Sequence, residues 1–158
     1  MQDERAFLRH TLATLAYRGG KATRGAQPDF GELKISPGTR TPLAILCHIG
    51  DLLEWALTIV RGEPGFDART PQSWEAEVQR FHRVLQELDA FFAGTEPLQG
   101  SAEKLFQGPI ADAFTHVGQI ALLRGVHGEP VRGENYYVAD IETGHVGEAQ
   151  PPPRREFE

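Results

Sequence analysis

Asp112 and His116 stand four residues apart in the last third of the chain. On a helix that spacing is one turn plus about 40°, so a carboxylate and an imidazole leave one face within reach of a shared ion. His48 lies in a separate apolar stretch and shares its side with Ile45 and Leu52, which directs it inward. Two imidazoles and one carboxylate suit zinc, and with open positions they also suit Fe(II) or Mn(II). A lone inward histidine is more often a hydrogen-bonded core residue, and an Asp/His pair at this spacing is often a solvated surface pair. An aspartate within an apolar stripe, however, is costly to bury without a partner. Gln119 extends the stripe and is a candidate to orient an imidazole through a hydrogen bond. A triad of His48, Asp112 and His116 requires nearest donor atoms within roughly 3–4 Å of one another, so that ligand distances near 2.0–2.2 Å can be reached.

Helices must carry these residues, and four segments have helical periodicity. Residues 3–18 place Phe7, Leu8, Leu12 and Leu15 on one side and meet Gly19-Gly20, a stop signal. Residues 42–61 follow Thr41 and begin at Pro42, with Ile45, Ile49, Leu52, Ala56 and Val60 as the stripe. Residues 71–93 start the same way, after Thr70 at Pro71. Their stripe is Trp74, Val78, Phe81, Leu85, Leu88 and Phe92. Residues 109–126 follow Gly108-Pro109 and carry Ile110, Phe114, Val117, Ala121 and Leu122, with a short helical turn expected over 101–107. Arg61-Gly62-Glu63-Pro64 and His127-Gly128-Glu129-Pro130 are matching helix ends, Gly just past the last turn and Pro beyond it.

The expected fold is all-α: a four-helix bundle over residues 1–130, with a long first connection and an irregular extension over 131–158. The connection, residues 19–40, could reach roughly 70 Å extended, against about 30 Å for a 20-residue helix, so simple up-down-up-down order does not follow. Its Pro28-Asp29-Phe30 and Pro37-Gly38 pairs predict turns. Asn135-Tyr136-Tyr137-Val138 is too aromatic for a linker, so the extension should pack on the bundle with only its last residues loose.

Composition excludes several alternatives. The chain has 158 residues, a formal net charge of −6 and one cysteine. The charge argues against a nucleic-acid partner. Cys47 alone permits neither an intrachain disulfide nor a Cys-rich zinc site. It adjoins His48, but consecutive helical side chains point about 100° apart, so it reads as a small buried hydrophobe. No apolar run approaches the ~20 residues of a membrane span, and the charged N-terminus lacks a secretory signal, so a cytoplasmic protein with no membrane partner is expected. His-Glu-x-x-His, paired Glu-x-x-His, the P-loop and the dinucleotide glycine fingerprint are all missing.

Three stretches resemble the DinB/YfiT-like family of metalloenzymes. His48-Ile49-Gly50-Asp51-Leu52 is similar to the segment holding the family's first metal histidine. Asp112-x-x-x-His116-Val117-Gly118-Gln119 resembles its His-x-x-x-His-x-Gly-Gln segment. Gly133-Glu134-Asn135-Tyr136-Tyr137 with Gly144-His145-Val146-Gly147 looks like the C-terminal extension of a bacterial subgroup. The resemblance implies a four-helix bundle with one divalent ion, Zn, Ni, Fe or Mn, on His48, Asp112 and His116. It also implies a small-molecule substrate, and dimers are common in the family. Several relatives are thiol transferases using mycothiol, bacillithiol or glutathione. Asp112 stands where the family has histidine. That lowers the charge of a divalent site to about +1 by simple count and weakens acidification of a bound thiol or water.

The expected function is therefore metal-dependent transfer of a low-molecular-weight thiol onto small electrophiles, with hydrolysis as a variant. The alternative is a stress-associated bundle that binds metal or ligand without turnover. Other residues read as structural. His10 and His82 lie beside charged neighbours and face solvent, and His127 suits a helix C-terminus. Asp51 reads as a surface carboxylate and Arg124 as a cap on carbonyls. Tyr136 and Tyr137 read as packing residues, with closure over the site as their alternative use. Gly50 and Gly118 are positions for close helix packing. His145 has no assignable place.

Overall fold

The computed structural model describes residues 2–63 and 65–157, and within them it is all-helical, a four-helix bundle without β-strands. The helices are α1 (Gln2–Thr23), α2 (Pro42–Val60), α3 (Trp74–Ala93), the single turn α4 (Ala102–Leu105) and α5 (Ala111–Val126). Pro64, expected in the stop after α2, lies outside the described residues.

Local chemistry accounts for the boundaries. Thr41 Oγ1 accepts from the Ala44 amide and Pro42 takes the first turn of α2, as expected. α3 begins three residues later than Thr70-Pro71 suggests, because Ser73 is the residue whose hydroxyl caps it, accepting from Ala76 N. α1 does not stop at Gly19-Gly20 but continues to Thr23. A Cβ on Gly19 would stand 2.5 Å from Phe81 Cζ, so this glycine lets α3 approach α1. α4 reaches α5 through a wide turn over Phe106–Ile110, where Gly108 breaks helical geometry ahead of Pro109.

α1 and α2 each pack on both α3 and α5, which places α1 and α2 on one diagonal. Directions follow from paired residues. Arg5 meets the Phe91 carbonyl and Arg9 pairs with Asp89, so α1 and α3 are antiparallel. Arg80 binds the Cys47 carbonyl and Arg61 pairs with Glu87, so α2 and α3 are parallel. His48 meets His116, while Trp55 lies by Ala111 and Ile45 by Leu123, so α2 and α5 are antiparallel. Arg124 binds the Ala22 and Arg24 carbonyls, which joins the C-terminal ends of α1 and α5. The order is up-down-down-up.

Two parallel neighbours need a return crossing, and residues 61–73 supply it. Gly65 meets Thr58, Arg69 meets Glu54 and Asp51, and Gln72 meets Glu77. Thirteen extended residues reach roughly 45 Å, against about 28 Å for α2, so the crossing is easily spanned. The longer first connection spends its length across one end of the bundle. There Phe30, fully buried, sits edge-on to Trp74 at 5.3 Å and His127 at 5.5 Å.

The core holds the predicted stripe of α2 and Phe81, Leu85, Leu88 and Phe92 of α3, with Trp74 and Val78 partly buried against it; α1 adds Leu8, Leu12 and Leu15, and the last segment Ile110, Val117 and Ile120. Phe7 and Leu122 depart from the expectation, at 63% and 70% exposed. Gly118 is likewise open, with no described atom beyond its own stretch of helix within 4 Å of where a Cβ would stand, whereas Gly50 admits the Arg80 guanidinium at 2.9 Å. α2 taken alone corrects a further expectation. With 19 residues and a mean hydropathy of 1.7 it is long and apolar enough to cross a membrane, although 61% of that window is buried within the bundle.

The extension lies against α1 and α3. Glu134 accepts from Tyr17 Oη at 2.6 Å and Lys21 Nζ at 2.7 Å, and Val146 is buried. Glu134 bridges to Glu156, and the Phe157 amide donates to the Gly133 carbonyl, so the end expected to be loose is held as far as Phe157.

Candidate metal centre

α2 and α5 run antiparallel at the predicted triad, so His48 of α2 comes level with Asp112 and His116 of α5. Asp112 and His116 share one face of α5, and His48 faces them from α2. His116 Nε2 lies 3.4 Å from Asp112 Oδ1, and His48 Nε2 lies 3.9 Å from Asp112 Oδ2. The imidazole rings meet edge to face with centroids 4.9 Å apart. One donor atom from each residue falls within 4.8 Å of the others, so the group could hold a metal ion. Two of the separations are within the expected range, and each carboxylate oxygen is turned toward a different imidazole.

The protonation pattern fits ligation. The His116 Nδ1–H donates to Gln119 Oε1 at 2.7 Å. An amide oxygen only accepts, so Nδ1 carries the proton, which makes Nε2 the ligating nitrogen of the neutral ring. This is the orienting role expected of Gln119. His48 is held below the ordinary imidazole range, first by burial and then by the nearby His116 and Arg40, with Asp112 and Asp51 opposing. A neutral imidazole is the ligating form. Phe66, from the crossing after α2, packs edge-on to His48 with centroids 6.2 Å apart.

The triad opens on a cavity of about 590 Å³. Ile35, Thr39 and Arg40 of the first connection form one wall, and Ile45, Leu122 and Leu123 supply apolar surface. The first connection, a loop by sequence, thus walls the cavity. No local signal marks Arg40 for that place.

Other candidates fall elsewhere. Cys47 is buried, and burial, then Glu77 and Asp51, push its thiol up to about 11, so it stays protonated at neutral pH. Asp51 is not a surface carboxylate: Arg80 Nη2 donates to it at 2.6 Å in a buried cluster with Glu54 and Glu77. His82 does not face solvent but is 4% exposed. Tyr136 lies under the Arg18 guanidinium, and Tyr137 is 96% exposed, so neither closes the cavity. Arg124 caps carbonyls at the end of α1 as expected, His127 pairs with Asp29 and Glu129, and His145 Nε2 lies 2.6 Å from the Ala149 carbonyl. His10 is exposed beside Thr143.

No family model matches the chain, and no curated protein or solved structure matches it either.

Proposed function

We propose that this chain is a DinB/YfiT-like bundle that holds one divalent ion on His48, Asp112 and His116 and transfers a low-molecular-weight thiol onto small electrophiles. The observation that carries the reading is convergence: two imidazole nitrogens and a carboxylate, from two helices, meet at the mouth of a cavity. A divalent ion in such a site acts as a Lewis acid and lowers the pKa of a thiol or water beside it. His48 and His116 would present their Nε2 atoms to the ion, Gln119 orients the His116 ring, and Asp112 supplies the carboxylate. Leu122, Leu123, Ile35 and Ile45 offer an apolar wall for the body of a substrate. The buried, protonated Cys47 is a poor nucleophile, so the reacting thiol is supplied from outside.

The lining also favours a second reading. Beyond the triad and Arg40 it holds no titratable side chain, so no separate general base faces the cavity among the described residues. That suits a bundle that binds metal or ligand without turnover. The test is untagged protein loaded in turn with Zn, Ni, Fe(II) or Mn(II), assayed for metal content and for conjugation of mycothiol, bacillithiol or glutathione to a panel of electrophiles. One ion per chain is expected, lost in Asp112→Ala and His116→Ala, with a roughly 10–100-fold weaker affinity in Gln119→Ala. Stoichiometric metal without turnover on any thiol selects the second reading. A chain that holds no ion after dialysis removes both metal readings.

A further inference from the structure

Most arginines of this chain are spoken for: Arg9 pairs with Asp89, Arg61 with Glu87, Arg69, Arg80 and Arg83 with Glu54, Arg124 with Glu129, Arg132 with Glu156, and Arg154 with Asp140. Arg40 has neither an ion pair nor a hydrogen bond among the described residues, and it lines the cavity into which the triad opens. Asp112 is the one acidic residue of that lining. With a divalent ion on the triad, the ion, Asp112 and Arg40 sum to about +2 by simple count. Arg40 also stands two residues before the start of α2, beside the positive end of that helix. The rest of the wall is largely apolar. A neutral ligand filling it would leave this positive charge without a partner, whereas an anion would pair with it.

We propose that Arg40 determines substrate class: the cavity takes a small organic carboxylate with a short apolar body, its carboxylate on the Arg40 guanidinium and its reactive end toward the triad. The planar guanidinium fork matches a carboxylate in two parallel hydrogen bonds, which neither an amide nor a hydroxyl reproduces. Ile35, Ile45, Leu122 and Leu123 cover the apolar body. The assignment rests on the metal reading for the orientation of the ligand, but not for the anion contact itself.

The test is calorimetric titration of 3-phenylpropanoate and 3-phenylpropanamide into the full chain, both metal-free and loaded with Co(II), for wild type, Arg40→Gln and Arg40→Lys. The wild type should bind the carboxylate at least about tenfold more tightly than the amide. Arg40→Gln should lose that preference, and Arg40→Lys should recover part of it. Because Arg40 is exposed and unpaired, Arg40→Gln should keep the wild-type melting temperature and Co(II) stoichiometry. Equal carboxylate affinity in wild type and Arg40→Gln overturns the proposal, including the case in which the carboxylate binds the ion directly and only loaded protein responds. Failure of the metal reading looks different: no Co(II) is taken up, while carboxylate binding to the metal-free chain still depends on Arg40.

Discussion

The His82 imidazole donates its Nδ1–H to the Val146 carbonyl at 3.1 Å and leaves Nε2 buried with no partner among the described residues. Burial, assisted by Arg24, holds its pKa below the ordinary 6.5, with the Val146 bond and Glu148 opposing. The unfolded chain therefore takes up this proton first as pH falls, and stability is lost from about pH 6.5 downward. The expected outcome is a smaller drop in melting temperature from pH 7 to pH 5 in His82→Gln than in wild type. Parallel drops would show that His82 does not titrate in that window. At this scale Asp112, His116 and Gln119 are legible in the sequence, because one helix face sets their mutual positions. His82 and Asp51 are not, for the converse reason: Val146 and Arg80, which cover them, come from other elements far along the chain.

Glycines show how one residue type serves opposite ends in a helix. Gly19 is where the Phe81 ring meets α1, and Gly118 meets no described atom beyond its own stretch of helix within 4 Å of its would-be Cβ. Gly19→Ala should cost about 1–3 kcal/mol through overpacking. Gly118→Ala should gain about 0.5–1 kcal/mol, because it removes backbone freedom without a clash. Urea denaturation of the two variants checks both signs, and destabilisation by Gly118→Ala would mean that the α5 face is covered in solution. Periodicity identifies α1, α2 and α3 and most of their buried stripes, but not the exposure of Phe7 or the end of α1. A double glycine is a stop signal only when no neighbouring helix needs the space.

The up-down-down-up order brings α2 against α5 and so assembles the candidate metal centre. It also leaves one flank of α1 and α3 for the C-terminal extension, tied by Glu134. That carboxylate is wholly buried and receives both Tyr17 and Lys21. Burial, then Glu134, raises the Tyr17 phenol above its ordinary value, so it remains a donor. Glu134→Ala would leave the Tyr17 hydroxyl and the Lys21 ammonium without this acceptor, at a cost of about 3–5 kcal/mol. Faster tryptic cleavage at Arg154-Arg155 should accompany the loss, with metal stoichiometry unchanged because the triad lies on α2 and α5. An extension that is cleaved no faster would show that Glu134 does not hold it.

The amino-acid sequence by itself determined the four helices, most of their buried faces and the pairing of Asp112 with His116. These follow from spacing along one helix, where 3.6 residues per turn sets the geometry. Tertiary structure alone decided that α2 runs antiparallel to α5, that the crossing after α2 rather than the first connection travels the length of the bundle, and that Arg40 lines the cavity at the triad. Those relations join elements far apart in the chain; His48 and Asp112 are more than 60 positions apart. Only the packing of whole helices brings such residues together, and no local periodicity encodes it.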